Sequence, residues 1–502
     1  MLGFRPAMQL PLPLAELSLP ADSSMLPPPA RRIYCNRNLR LDRVEWVGFD
    51  MDYTLAIYRQ DEMDRLSIES TARKLVERSY PDSLLTMPYR TDFPIRGLLI
   101  DKKLGNVLKM DRYKYVKKAY HGMRELTIDE RRQLYHSKRL RPASRRYHWV
   151  DTLYALSEVS VFAAAVEELE STGVEVDYTK LFEDVRECID ESHQDGSILD
   201  QILRQLGKFV LRDEKLGPTL HKLRSAGKRL FLLTNSQPAY TDAMMTYLLT
   251  DGLPEYPSWR NYFDLIVTAA RKPLFFTGKQ PFEEVLEDGA RAPAPTLERG
   301  RIYAGGNIAT LDAQLGVDAD RILYVGDHIY GDVLRAKKTT AWRTAMIVQE
   351  MGQELDALVR CTEAIERADT LEEMRDTLHH ELRGRQGRLK EIQRMIDRLA
   401  REPEAVPTTE LEVARVRHRR AIDKLRVRIR TVETELNELD EQLGLAFHPF
   451  WGSLFKAGGE MSSFGHQIEA YACLYTDRVS NLFGYSPMHY FRSPRDRMPH
   501  EL

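Results

Sequence analysis

A chain of 502 residues, 43% hydrophobic and 29% charged, is too long for one core and implies about two to four soluble globular domains. Its formal charge of −2 excludes the basic field that broad nucleic-acid binding requires, so an anionic ligand has to be held by local charge. No apolar run reaches the roughly twenty residues of a membrane span, and four dispersed cysteines (Cys35, Cys188, Cys361, Cys473) predict neither a zinc site nor a disulfide frame, which fits a reducing, cytoplasmic compartment.

Residues 1–30, closing on Pro27-Pro-Pro-Ala30, read as a flexible leader; Pro11, Pro13 and Glu16 break its apolar stretch and argue against a secretory signal. An apolar strand at 44–49, interrupted by Glu45, then ends in Asp50-Met-Asp52-Tyr-Thr54. Strand termini of an α/β sheet are where ligands bind. Two acids at such an edge can divide the labour, Asp50 attacking phosphorus and Asp52 giving and taking a proton. A turn that merely carries two aspartates is the plainer alternative.

Arg96–Asp101 and Asn106–Asp111 look like a β-hairpin beside that edge. The interval from Asp50 to the next motif strand far exceeds one crossover helix, so it predicts an inserted, mostly helical cap at 113–205. The core resumes over 206–375, completing a discontinuous unit with 31–112. Its strands are expected at 229–234, 264–268, 322–326 and 343–348, in a parallel α/β layout.

Each strand again ends in polar chemistry. Thr234, with Asn235 and Ser236, offers donors to phosphate oxygens or, alternatively, caps the following helix. Lys272 follows Tyr262–Ala270 and can balance phosphate charge. Gly326-Asp327-His-Ile-Tyr-Gly331-Asp332 ends the third strand with two acids and two glycines, a composition suited to Mg²⁺, which needs only one or two carboxylates beside substrate oxygens.

Residues 376–445 differ in kind. Ile422, Leu425, Ile429, Val432, Leu436, Leu439 and Leu443 repeat three-four, Leu382, Leu389, Ile392, Ile396 and Leu399 follow a similar rhythm, and Arg401–Pro407 interrupts them. This predicts a helical hairpin of coiled-coil periodicity, serving either oligomer and partner contact or only itself. Its arginines, balanced by acids after Glu433, read as a solvated face. The closing segment, 446–502, is aromatic-rich through 446–490 and is expected to pack back onto the core.

Taken in order, Asp-x-Asp-x-Thr, strand-Thr-Asn, Lys and strand-Gly-Asp with a second Asp resemble the four motifs of the haloacid dehalogenase (HAD) superfamily. Phe49–Leu55, Phe93–Leu98, Ala270–Phe276, Tyr324–Asp332, Trp451–Phe455 and Met498–Glu501 are similar to the cytosolic purine 5′-nucleotidases, over about 32–365 and 446–501. The resemblance implies a Rossmann-like HAD core and a Mg²⁺-dependent 5′-nucleotidase acting on purine nucleoside monophosphates, IMP and GMP first. Transfer to a nucleoside acceptor is a further possible outcome. It assigns Asp50 as nucleophile, Asp52 as acid/base, Thr234 and Lys272 as phosphate-binding, and Asp327 as a metal ligand with Asp50 and the Asp52 carbonyl. Asp332 supports a metal-bound water or Lys272. In the cap it implies that Tyr154 stacks on the base while Arg186, Asp190 and His193 face it. Arg186 and Asp190, four apart, lie on one helix face and could equally be a surface ion pair. The family also implies a homo-oligomer, dimer or tetramer, with a subunit interface in the closing segment. The chain departs from the animal enzymes at Gln194, Leu199 and Ala470, where they carry Tyr, Lys and an effector-site Arg. A phosphatase for another small phosphomonoester, or a non-catalytic interaction protein using the hairpin, are the competing readings.

Overall fold

The computed structural model describes residues 27–136, 140–250, 253–334, 340–401 and 407–494; most of the leader, the hairpin tip and Met498–Glu501 lie outside them. Its centre is a ten-stranded sheet. Seven strands run parallel, in the order Leu474–Thr476, Arg343–Ile347, Ile322–Gly326, Trp46–Phe49, Arg229–Leu233, Leu265–Thr268 and Ile302–Gly305. Tyr34–Cys35 closes one edge antiparallel, and Phe282–Val285 with Arg291–Pro293 closes the other.

Helices and loops cover both faces, so the central strands are apolar throughout rather than alternating: Val47, Phe49, Leu230, Phe231, Leu232 and Leu233 are all fully buried. Gly48 is obligatory, since a Cβ there would lie 2.0 Å from Cζ of Phe231, whose ring covers the strand. The register places the chemistry. Phe49 pairs with Leu232 on one side and Val325 on the other. Asp50, Thr234 and Asp327 therefore leave the same end of adjacent strands within a residue or two of one another, at the carboxyl edge where α/β sheets bind ligands.

The expected hairpin forms between Leu98–Asp101 and Asn106–Met110, but within a five-stranded antiparallel sheet that adds Val116–His121, Arg124–Glu125 and Tyr147–Val150. Among its described residues the interval 113–205 is thus mostly helical, with three short strands besides. Its helices Leu156–Ser171 and Tyr178–Gln194 pack with Gln60–Glu77, and Leu156–Ser171 also lies against strands Asn106–Met110 and Val116–His121. Leu156–Ser171 is buried along almost its whole first half, including Glu158.

The helical hairpin comprises Thr362–Leu399 and Thr409–Phe447, longer than 376–445 at both ends. Leu371 and Leu378 interlock with Leu425, Ile429, Val432 and Leu436 in a separate hydrophobic cluster, each such side chain contributing about 1.5–3 kcal/mol on burial. The closing segment returns to the main body. Leu474–Thr476 enters the central sheet, and Trp451 and Phe464 join its core. Among the described residues no helix is long and apolar enough to cross a membrane, and no disulfide joins the cysteines.

Candidate active site

Asp50 follows the central strand, its amide bonded to the carbonyl of Val325 at 2.9 Å. The Lys272 ammonium lies 2.9 Å from Asp50 Oδ1 and donates to Asp332 Oδ1 at 2.7 Å and to the Tyr324 hydroxyl at 3.0 Å. The Lys272 backbone is clamped by Asn235, whose side chain accepts from Lys272 N at 2.5 Å and donates to its carbonyl at 3.0 Å. One amide side chain thus fixes the main chain of the lysine across two strand ends.

Asp52 is held differently. Tyr58 donates to its Oδ1 at 2.5 Å and Ser236 to its Oδ2 at 2.6 Å, while the Tyr240 hydroxyl lies 3.0 Å from that of Tyr58. The capping alternative for Thr234–Ser236 does not hold: the next helix is Pro238–Leu249, its N-cap is Gln237, and Ser236 turns to Asp52 instead. Thr234 is fully buried and accepts from the amide of Ser236 at 3.1 Å.

Asp50, Asp327 and Asp332 bring carboxylate oxygens within 4.8 Å of one another, all three buried. A Cβ on Gly326 would sit 2.6 Å from Asp332 Oδ2, so the glycine makes room for that approach. Arg96, 1% exposed, donates to the Asp327 carbonyl at 2.9 Å and to Glu350 at 2.8 Å, and its guanidinium lies over the Phe464 ring. Burial lifts the Asp50 carboxyl well above the usual range; Lys272 opposes the rise and the neighbouring aspartates add to it. Asp327 is pushed to about 7 by burial, against the pull of Arg96. Burial alone would lower Lys272, but Asp332 and Asp50 outweigh it and hold the ammonium charged. Three buried acids share Lys272 and an Arg96 that is itself paired with Glu350, which leaves the site short of positive charge, as a divalent-cation site should be.

Above this edge, His328 Nε2 lies 3.3 Å from Asp151, tying the loop after Asp327 to the segment that carries Tyr154. The Tyr154 and His193 rings meet at 4.7 Å between centroids. The alternative of a surface ion pair between Arg186 and Asp190 is not formed among the described residues, although Arg186 still opposes the rise that burial imposes on the Asp190 carboxyl. Arg186 Nε sits 3.6 Å from Glu158 Oε2, and His148 Nε2 sits 3.1 Å from the same oxygen, while Asp190 is exposed. Glu158 is 4% exposed, and no donor is aligned on that oxygen.

The expected residues thus gather in two groups: Asp50, Asp52, Thr234, Asn235, Ser236, Lys272, Asp327 and Asp332 at the sheet edge, and Tyr154, Arg186, Asp190 and His193 in the cap. Sequence reasoning missed Tyr58, Arg96, Glu158 and Tyr324. Arg96 and Tyr324 lay inside the family-like motifs, so a signal existed; Tyr58, followed by Arg59-Gln-Asp-Glu62, and Glu158, between Ser157 and Ser160, stand in no motif.

A family model described as "5′ nucleotidase family" matches residues 33–502. A 5′-nucleotidase domain-containing protein of Dictyostelium discoideum is 27% identical over 482 residues, covering 94% of this chain and 75% of that one. Human 5′-nucleotidase domain-containing protein 2 is 32% identical over 360 residues, covering 68% of this chain and 67% of that protein. Among solved structures, a haloacid dehalogenase-like family hydrolase from Xanthomonas campestris is similar at TM-score 0.24 and 12% identity, over 62% of this chain and 86% of that one. Matched along nearly its whole length, the chain belongs to the 5′-nucleotidase family and is a phosphomonoester hydrolase.

Proposed function

We propose that the chain is a Mg²⁺-dependent 5′-nucleotidase acting on purine nucleoside 5′-monophosphates, IMP and GMP first. The observation that carries the chemistry is the Lys272 ammonium, shared between Asp50 and Asp332 beside a triad of buried carboxylates.

Asp50 attacks phosphorus, forming an Oδ–P bond as the P–O5′ bond breaks. Asp52, oriented by Tyr58 and Ser236, gives its proton to the departing 5′-oxygen. It then takes a proton from a water that attacks the same phosphorus; the Oδ–P bond breaks and phosphate leaves. A nucleoside hydroxyl in place of that water gives phosphotransfer. Lys272 and Thr234 face the equatorial oxygens, on which charge spreads during transfer. Asp50, Asp327 and the Asp52 carbonyl would hold Mg²⁺, with Asp332 beside them, and the ion supplies charge neutralisation at the phosphoryl group. In the cap, Tyr154 and His193 offer an aromatic wall, and Arg186 a donor to a ring carbonyl, which suits 6-oxopurines. Four dispersed cysteines with no disulfide frame support a cytoplasmic location.

One observation favours a different small phosphomonoester: Arg186 is already engaged by Glu158. A panel of IMP, GMP, AMP and ribose 5-phosphate, with Mg²⁺ or with EDTA, separates the two. Expected are a kcat/KM for IMP and GMP at least tenfold above ribose 5-phosphate, and loss of turnover in EDTA. Equal rates for nucleotide and sugar phosphate remove the nucleotide assignment, and turnover surviving EDTA removes the metal.

A further inference from the structure

The second hairpin helix, Thr409–Phe447, carries two heptad seams. One, through Ile422, Leu425, Ile429, Val432 and Leu436, is buried against its partner helix. The other lies on the opposite side, at four-three spacing from Val413 to Leu445, and every residue in it is exposed. A solvated face needs no apolar residues, yet this one carries Val413 at 64%, Val427 at 58% and Leu445 at 67% exposure. Along its first half runs a shallow groove lined by Val413, Val416, Arg417, Arg420 and Lys424.

The charges of the outer seam are segregated. Arg417, Arg420 and Lys424 precede Val427; Glu438 and Glu441 follow Thr434. Charges flanking the seam are used within the chain: Arg415 pairs with Glu412, Arg426 with Asp423, Glu433 with His379 and Glu435 with Arg367. Among the described residues none of Arg417, Arg420, Lys424, Glu438 and Glu441 has an ion-pair partner.

We propose that this seam is an interface between two copies of the chain, whose helices pair antiparallel about a two-fold axis beside Ile429. Such an axis brings residues summing to the same number face to face. Val413 meets Leu445, Arg417 meets Glu441, Arg420 meets Glu438, Lys424 meets Thr434, and Val427 meets Thr431. Both apolar ends become covered and four of the five unpaired charges find an opposite. Parallel pairing would oppose like charge to like along the whole length. The seam spans about 48 Å at 1.5 Å per residue, and its charged content makes the association weaken with salt.

The full chain is tested by sedimentation velocity at tens of micromolar, in low and high salt, with R417E/R420E and E438R/E441R variants. Phosphatase activity serves as the folding control, since the seam touches no active-site residue. Expected is a wild-type assembly that halves in mass in either double variant and is restored on mixing the two, because the acids introduced at 417 and 420 of one copy then face the arginines introduced at 441 and 438 of the other. Restoration cannot come from a misfolded variant. A wild-type monomer in low salt, an unchanged mass in both variants, or no recovery on mixing each overturns the proposal.

Discussion

The Lys272 ammonium sits 2.9 Å from the Asp50 carboxylate, although the two leave different strands of the central sheet. Asp332 holds the lysine from the other side at 2.7 Å, so the ammonium keeps a partner even when Asp50 is altered. The Asp50→Asn variant should therefore fold and melt close to wild type while losing turnover on IMP by at least about a thousandfold, as expected for a lost nucleophile. Steady-state kinetics beside a thermal melt decide it; wild-type turnover in a folded variant would remove the covalent route.

Asp332 acts on Lys272 through a short ion pair and is backed by the Tyr324 hydroxyl at 3.3 Å. Replacing it with Asn removes the charge that orients the ammonium but leaves Asp50 and Asp327 in place. A fall in kcat of about 10–100-fold is expected, the range seen when an outer partner of a site is lost. A Lys272→Met variant should fall further. If the two substitutions rank the other way, Asp332 does more than position the lysine.

The four motifs were legible because each is a short apolar run stopped by a polar group, and parallel strands place those stops at one edge. Strand Ile302–Gly305 escapes that reading because no acid or hydroxyl at its end marks it. Val116–His121 and Tyr147–Val150 carry polar residues on a half-exposed face, so they read as loop between helices. The hairpin extends beyond the apolar rhythm that begins at Leu382 because its first helix also packs through Leu371 and Leu378, a seven-residue step upstream of it. Glu158 was invisible for another reason. It lies in Leu156–Ser171 among buried apolar residues, and only the tertiary approach of Arg186 and His148 shows what it faces.

Glu158 is the carboxylate that Arg186 faces, at 3.6 Å, so Glu158→Gln should loosen the guanidinium that the nucleotidase reading assigns to the base. Arg186 is 45% exposed on its side chain, which keeps the interaction modest. KM for IMP should rise about three- to tenfold with kcat little changed, while ribose 5-phosphate, lacking the base, is unaffected. A parallel loss on both substrates would mean that Glu158 supports the cap rather than base recognition.

Asp64, on helix Gln60–Glu77, is 2% exposed; Gln60 donates to its Oδ1 at 2.8 Å, and its Oδ2 has no partner. Burial raises the carboxyl to about 8, with Gln60 opposing. Unfolded, the same group titrates at about 3.9. Between those values the folded state holds a proton that the unfolded state has released, so the contribution of this group to stability is fully present below about pH 4 and is lost as pH rises through about 8. Asn cannot ionise and can still accept from Gln60. Asp64→Asn should accordingly match wild type near pH 4 and melt a few degrees higher at pH 8. Melting curves for the two proteins across that window provide the measurement; a constant difference at every pH would show that Asp64 does not carry a proton into the fold.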